Sequence, residues 1–273
     1  MDLPDVQATK EGFPKIGIPR VGVSKVVMPV MVYYPRRGFI PTASSVEAFC
    51  SLTDEVKGIN MSRLIEVLYD EFSKDRLLIQ SVKAIQDKIK TRLGSPDSMV
   101  RVKFNYFVYK LSPVTKIEQL LPIKVELIGR STKMLGDEVV LGVSVPYTSL
   151  CCCSKAISDR GAHNQRSEAF IYLSNPRVDI LFEDVVSLVE KNASAEIREI
   201  LKREDEKYVT EKAYDNPVFV EDVVRRLAED LESYIKDGKV SGYLIKTEHQ
   251  ESIHAHNAIA YMCKNFKLWE LLV

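Results

Sequence analysis

Residues 100 to 108 read VRVKFNYFV, in which Val100, Val102, Phe104, Tyr106 and Val108 alternate with Arg101, Lys103 and Asn105. A period of two sends neighbouring side chains to opposite faces, so this run is satisfied only in a sheet with one buried face. Whatever flanks it must supply further strands or the helices that cover that face. The same alternation returns at Ile123, Val125 and Leu127. Upstream, the run from Arg20 to Tyr34 is β-rich and stops at Pro35, Arg36, Arg37 and Gly38, which makes Ile40 to Leu52 its hairpin partner. Two helical stretches lie between. Met61 to Phe72 carries Leu64, Ile65, Leu68 and Phe72 on one face, and Leu77 to Leu93 carries Leu78, Val82, Ile85 and Ile89, closed by Gly94 as a C-cap.

The order then starts again. Val139 to Val145 and Ala169 to Leu173 are expected strands and Ile180 to Glu190 a helix. A longer helix is expected from Pro217 to about Ile235, with Asn216 as N-cap, Pro217 in first position, and a stripe of Val220, Val224, Leu227 and Leu231. Val240 to Thr247 and His256 to Met262 finish as strands. The expected class is α+β. An irregular arm over residues 1–15, broken by Pro4, Gly12 and Pro14, precedes two ββααββ units over 16–134 and 135–273, each an antiparallel sheet with a helix pair on one face.

With 273 residues and 45% hydrophobic content the chain can bury a sizeable core. Its 38 basic residues balance 38 acidic ones, which argues against a nucleic-acid or membrane-surface partner and leaves room for a local basic pocket. The N-terminus lacks the charged-then-apolar pattern of a signal peptide, and no apolar run approaches a membrane span. Five cysteines, three of them consecutive, make a poor disulfide framework. A reducing cytoplasm, with thiols free for a metal, is the expected setting.

Those three cysteines open the stretch TSLCCCSKAISDRGAHNQRS, a polar, glycine-punctuated loop between two apolar runs. Cys151 and His163 stand twelve residues apart in it, a thiolate and an imidazole that suit a borderline-soft metal such as zinc. The plainer alternative makes the cysteines small buried hydrophobes and the histidine an ordinary surface residue. Downstream, LKREDEKYVTEKAYDN is dense in carboxylates, by default a solvated helical face with i to i+4 ion pairs. EHQESIHAHN holds three of the four histidines, residues suited to acid–base work near neutral pH or, more plainly, to a half-exposed surface. On a strand His254 and His256 would share a face and Glu251 and His254 would not. No G-x-x-x-x-G-K-[ST] loop is present.

CCCSK and GAHNQRS resemble the C-P-C-S-K and G-A-H-N-Q-R segments of the type IB GTP cyclohydrolases, metal-dependent enzymes that open the guanine ring of GTP on the way to pterins and folate. The resemblance covers most of the chain, with its specific matches after residue 150. It implies the tunnelling fold, in which ββααββ units join edge to edge into a barrel shared between subunits, and a homotetramer with sites near subunit interfaces. It implies that Cys151, His163 and Glu206 hold one divalent metal, zinc, ferrous iron or manganese, with Glu204 and Glu211 as competitors to Glu206 and Cys153 as a rival to Cys151.

NPVFVEDVVRRLA resembles the family segment whose glutamate anchors the purine, which points to Glu221 with Asp222 beside it. A carboxylate suits guanine's edge of two adjacent donors. ESIHAHNA resembles E-S-I-H-P-H-N-A and assigns Glu251, His254 and His256 to proton transfer or substrate contact. Lys155, Arg166, Lys207, Ser62 and Arg63 are the candidates for the triphosphate. The chain departs from the family at Cys152 and Ala255, each in place of proline, and at Asn60 and Ile59, where threonine and histidine are expected. The implied reaction converts GTP to formate and 7,8-dihydroneopterin triphosphate by attack of hydroxide on C8. A relative giving a cyclic phosphate of dihydroneopterin, and a non-catalytic purine- or pterin-binding protein of the same fold, are the alternatives.

Overall fold

A computed structural model of the chain describes residues 6–266. The chain divides into two compact units, one comprising the described part of Met1–Asn105 with Glu126–Val140, the other Tyr106–Val125 with the described part of Leu141–Val273. Helices and antiparallel strands alternate through both, so the chain is α+β. No helix among the described residues is long and apolar enough to cross a membrane.

In the first unit β1 (Ile18–Tyr34) and β2 (Gly38–Leu52) form the expected hairpin, with Tyr34 opposite Gly38. The Arg37 N–H donates to the Tyr34 carbonyl at 3.0 Å, and Gly38 takes a φ of 74° that closes the turn. β2 pairs in turn with the start of β3 (Ser98–Leu111), Ser44 opposite Phe104. The strand order continues into the end of β4 (Glu118–Thr132) and the start of β5 (Gly136–Leu150). Two helices cover this sheet. In α1 (Met61–Phe72) the buried face is Leu64, Val67, Leu68 and Phe72, and in α2 (Leu78–Leu93) it is Leu78, Ile79, Val82, Ile85 and Ile89. The α2 stripe is the expected one, while in α1 Val67 is buried and the expected Ile65 only half-buried, and Gly94 caps α2 in the left-handed region at φ 62°.

The second unit takes the remainders of β3, β4 and β5 and adds β6 (Asn164–Ser174), β8 (Gly242–His249) and β9 (Ala258–Lys264), in the order β3-β4-β5-β6-β8-β9. A two-residue strand, β7 (Ala195–Glu196), pairs with Tyr147 and Thr148 of β5. The helices are α3 (Cys152–Ile157), α4 (Phe182–Asn192), α5 (Arg203–Asp215) and α6 (Val220–Lys236). The α6 face of Val220, Val223, Val224, Leu227, Ala228 and Leu231 is buried against β8, β9 and α4.

Three local expectations are corrected. The helix α6 begins at Val220, not at Pro217, because Phe219 is its N-cap and the Phe219 N–H donates to the Asp222 carboxylate at 3.3 Å. Pro217 instead lies in a connection held to β5 by the Val218 N–H on the Leu150 carbonyl, and Asn216 closes α5. The carboxylate-rich stretch forms α5, a helix outside the ββααββ order. Only Asp205 and Ala213 of it are buried, so its apolar pattern is nearly blank, but Glu204, Asp205 and Glu206 in its first turn and Lys212 in its last complement the helix dipole. Finally β9 starts at Ala258, which leaves His254 and His256 in the preceding connection.

Asp205 fixes where α5 starts. Its carboxylate accepts from the N–H groups of Val114 (2.8 Å), Thr115 (3.0 Å) and Lys202 (3.0 Å) and from the Thr115 hydroxyl (2.6 Å). Burial alone would push its pKa up, but these four bonds outweigh burial and hold it well below the usual carboxylate range.

The α6 face carries six buried residues, and Leu227 on it is fully buried. Leu227→Ala should lower unfolding free energy by about 2–5 kcal/mol, the cost of lost transfer energy plus a residual cavity, read from urea denaturation with an unchanged m-value.

Candidate metal and substrate site

The site is built where β5 runs out. Leu150 is buried with Ala195 and Ala213, and Ala162 packs against them, so the chain leaving β5 is pressed against α5. The Cys151 N–H donates to the His163 carbonyl at 3.1 Å, and the His163 N–H donates to the Ser154 hydroxyl at 3.2 Å. These two bonds close the neck of the loop and bring together residues twelve apart in sequence. Cys151 is also the N-cap of α3, its sulfur accepting from the Ser154 N–H at 3.4 Å. Cys151 and Cys152 are half-buried and Cys153 is exposed. Burial, then the nearby Asp222 carboxylate, pushes the Cys152 thiol up.

The His163 side chain is 12% exposed, and its Nδ1 lies 2.9 Å from Gln165 Oε1. His163 immediately precedes β6 and Gln165 is the second residue of that strand, and the 2.9 Å bond holds their side chains together. The Gln165 amide donates to the Ser149 hydroxyl at 2.9 Å, and Ser149 and Ser167 exchange a 2.7 Å bond. From the other side the β8–β9 connection brings Glu251 Oε2 to 4.0 Å and Ser252 Oγ to 3.5 Å from the same Nδ1. His254 and His256 are exposed on that connection with their rings stacked, centroids 5.1 Å apart. The third sequence cluster therefore meets the first at His163 through Glu251, and its two outer histidines act as a pair.

Glu206 is exposed on α5. Helical spacing puts it in one stripe with Val209, Thr210 and Ala213, and these three line a cleft of about 390 Å³ with Thr148, Asn164, Gln165, Arg166 and Ile197. Its competitor Glu211 stands 3.8 Å from Lys207 in a surface i to i+4 pair. Of the basic candidates, Arg166 is exposed and lines the cleft. Lys155 is engaged elsewhere: its ammonium donates to the Tyr214 carbonyl and lies 4.3 Å from that ring's centroid, tying α3 to the end of α5. Ser62 and Arg63 belong to the first unit, at the start of α1, where Arg63 lines a separate cavity of about 160 Å³ with Asn60 and Gly58.

Among the described residues no three His, Cys, Asp or Glu side chains converge in ligating geometry. The donors nevertheless fit a borderline divalent metal in kind. Cys151 offers a thiolate, and a histidine whose Nδ1 is already engaged by a second side chain is oriented to offer Nε2, the usual arrangement of a ligating imidazole.

Glu221 is exposed in the first turn of α6. Its charge acts on His249, a residue that sequence reasoning left among the exposed histidines. His249 is 2% exposed, and its Nε2 lies 2.9 Å from the hydroxyl of Tyr147. Burial lowers its pKa to about 4, against the pull of Glu221 in the other direction, and burial pushes the Tyr147 phenol up. Parity could have found both this histidine and Gln165: His249 continues the buried series Ile245 and Thr247, and Gln165 begins the buried series Ser167, Ala169, Ile171 and Leu173.

These features are those of an α+β enzyme whose thiolate and imidazole are set at the neck of one loop. The family follows from comparison with known proteins. The family described as "Type I GTP cyclohydrolase folE2" matches residues 3–260, and the chain belongs to it. The GTP cyclohydrolase FolE2 of Magnetococcus marinus is 39% identical over 264 residues, covering 96% of each chain. That of Nitrosococcus oceani is 40% identical over 94% of each chain, and that of Dictyoglomus thermophilum 37% identical over 96% of this chain and 98% of its own. A solved structure of Bacillus sp. TB-90 urate oxidase aligns over 90% of this chain and 98% of its own, with a TM-score of 0.39 and 6% identity.

The buried His249 gives the protein an acid limb. Its folded pKa of about 4 lies below the ordinary 6.5, so between these values the unfolded chain binds a proton that the folded chain refuses. Stability is therefore lost as pH falls from about 6.5 to about 4, by a total of about 3 kcal/mol for this group. In denaturant titrations at a series of pH values, His249→Gln should flatten that part of the stability profile.

Proposed function

We propose that the protein hydrolyses GTP to formate and 7,8-dihydroneopterin triphosphate, feeding pterin and folate synthesis. The observation that carries this reading is the closed loop neck holding Cys151 beside His163, in a chain of the FolE2 family. Cys151, His163 and, from the α5 stripe, Glu206 would hold one divalent metal, zinc, ferrous iron or manganese. Such a metal lowers the pKa of water enough to supply hydroxide near neutral pH.

The chain's own residues do the rest. Glu221, exposed at the start of α6, accepts the ring N–H and exocyclic amine of guanine and so fixes which edge of the purine faces inward. Glu251, 4.0 Å from His163 Nδ1, holds that ring's orientation and the local charge. The exposed imidazoles of His254 and His256 move protons to the ring nitrogens that leave C8 as the purine opens and formate departs. Arg166 and Lys207 take the triphosphate. Lys155, already engaged by Tyr214, contributes chiefly by holding α3 to α5, and the assignment of Ser62 and Arg63 rests on the match of their side chains to phosphate oxygens.

The same reading includes the tunnelling fold as two ββααββ subdomains over 16–134 and 135–273. It is supported by an element order in which two strands, two helices and two strands recur, with α3, β7 and α5 as additions in the second half. A cytoplasmic homotetramer belongs to the same proposal.

The test is anaerobic incubation of chelator-stripped protein with GTP, with and without manganese, iron or zinc, following formate and the fluorescence of the oxidised pterin. Metal-dependent release of both is expected, and product analysis separates the linear triphosphate from a cyclic phosphate. Cys151→Ala and His163→Ala should each reduce metal uptake and turnover by at least about 100-fold, more than the loss of an outer-shell partner, with circular dichroism unchanged. GTP binding without formate under any metal would overturn the catalytic reading in favour of a purine-binding protein.

A further inference from the structure

Gln165 is not among the residues that the reaction requires, yet it is 7% exposed and sits directly behind the imidazole of His163. Three buried polar side chains follow one another there. His163 Nδ1 meets Gln165 Oε1 at 2.9 Å, Gln165 Nε2 donates to Ser149 Oγ at 2.9 Å, and Ser149 Oγ meets Ser167 Oγ at 2.7 Å. Ser149 and Ser167 are fully buried. Buried groups of this kind must each be paired, and the Gln165 amide, an acceptor at one atom and a donor at the other, ties the proton on His163 Nδ1 to the direction of its bond with Ser149.

Two directions are self-consistent. In one, His163 carries its proton on Nδ1 and donates to Gln165 Oε1, the amide N–H donates to Ser149, and Ser149 donates to Ser167. In the other the amide is turned over, every bond reverses, and His163 presents a bare Nδ1. The surroundings choose the first. Glu251 Oε2 lies 4.0 Å from Nδ1, and a carboxylate there favours an N–H over a lone pair directed at it. Ser252 Oγ, 3.5 Å from the same atom, can accept as well as donate.

We propose that Gln165 is a positioning residue that holds His163 in the Nδ1–H tautomer and so presents Nε2 to the metal. The inference rests on the metal reading given above for its purpose, but its test does not. The chain has four histidines, so a long-range proton–nitrogen correlation spectrum of metal-free protein with labelled histidine resolves the His163 tautomer directly. The wild-type spectrum should show His163 protonated at Nδ1. In Gln165→Leu, of similar volume, the ring should populate the other tautomer, and affinity for manganese or zinc should fall about 10- to 100-fold. Gln165→Glu keeps an acceptor facing Nδ1 and should keep the tautomer and most of the affinity.

A wild-type ring protonated at Nε2, a Gln165→Leu protein with unchanged tautomer and metal affinity, or equal losses in the Leu and Glu variants would overturn the proposal. Absence of metal uptake by the wild type would instead defeat the metal reading, while the tautomer spectrum still decides the role of Gln165.

Discussion

One backbone hydrogen bond, from the Cys151 N–H to the His163 carbonyl, holds the site together. It links the residue that follows β5 to the residue that precedes β6, so the loop between them can be irregular without loosening either side chain. The sheet supplies the rigidity. Leu150 is fixed in the apolar cluster below the neck, and Ser149, Gln165 and Ser167 fill the layer beneath the imidazole.

Much of this was legible in the residues. Periodicity gave the bounds of α1, the β1–β2 turn and the Gly94 cap because each depends on near neighbours. The Cys151 and His163 pairing was legible through spacing for the same reason, since the neck closes within a single loop. What could not be read was set by residues far apart. Charge composition gave the helical face of α5 but not its start, which is fixed by Asp205 reaching Val114 and Thr115. The start of α6 was misplaced because Asn216 and Pro217 satisfy local capping rules, while the Val218 bond to Leu150 decides the course of the chain.

The histidines show the same division. Their common segment suggested a common role, but His249 ends β8 inside the sheet while His254 and His256 stand in the connection beyond it. A difference of a few residues therefore separates a buried neutral ring, bonded to Tyr147, from a solvent-facing pair available for proton transfer. Burial sorts chemically identical side chains into one held inside the sheet and two left facing solvent.

The helix α5 is pinned at both ends, by Asp205 to the β3–β4 connection and by the Lys155 ammonium to the carbonyl of Tyr214. A rod fixed at two points cannot swing, so the wall of the cleft that carries Val209, Thr210 and Ala213 behaves as a fixed jaw. The β8–β9 connection is built differently: residues 252–256 lie in turns and bends, with Asn257 bonded to Glu248 at 2.7 Å across their base. The α5 wall keeps its spacing to Asn164, Gln165 and Arg166 across the cleft.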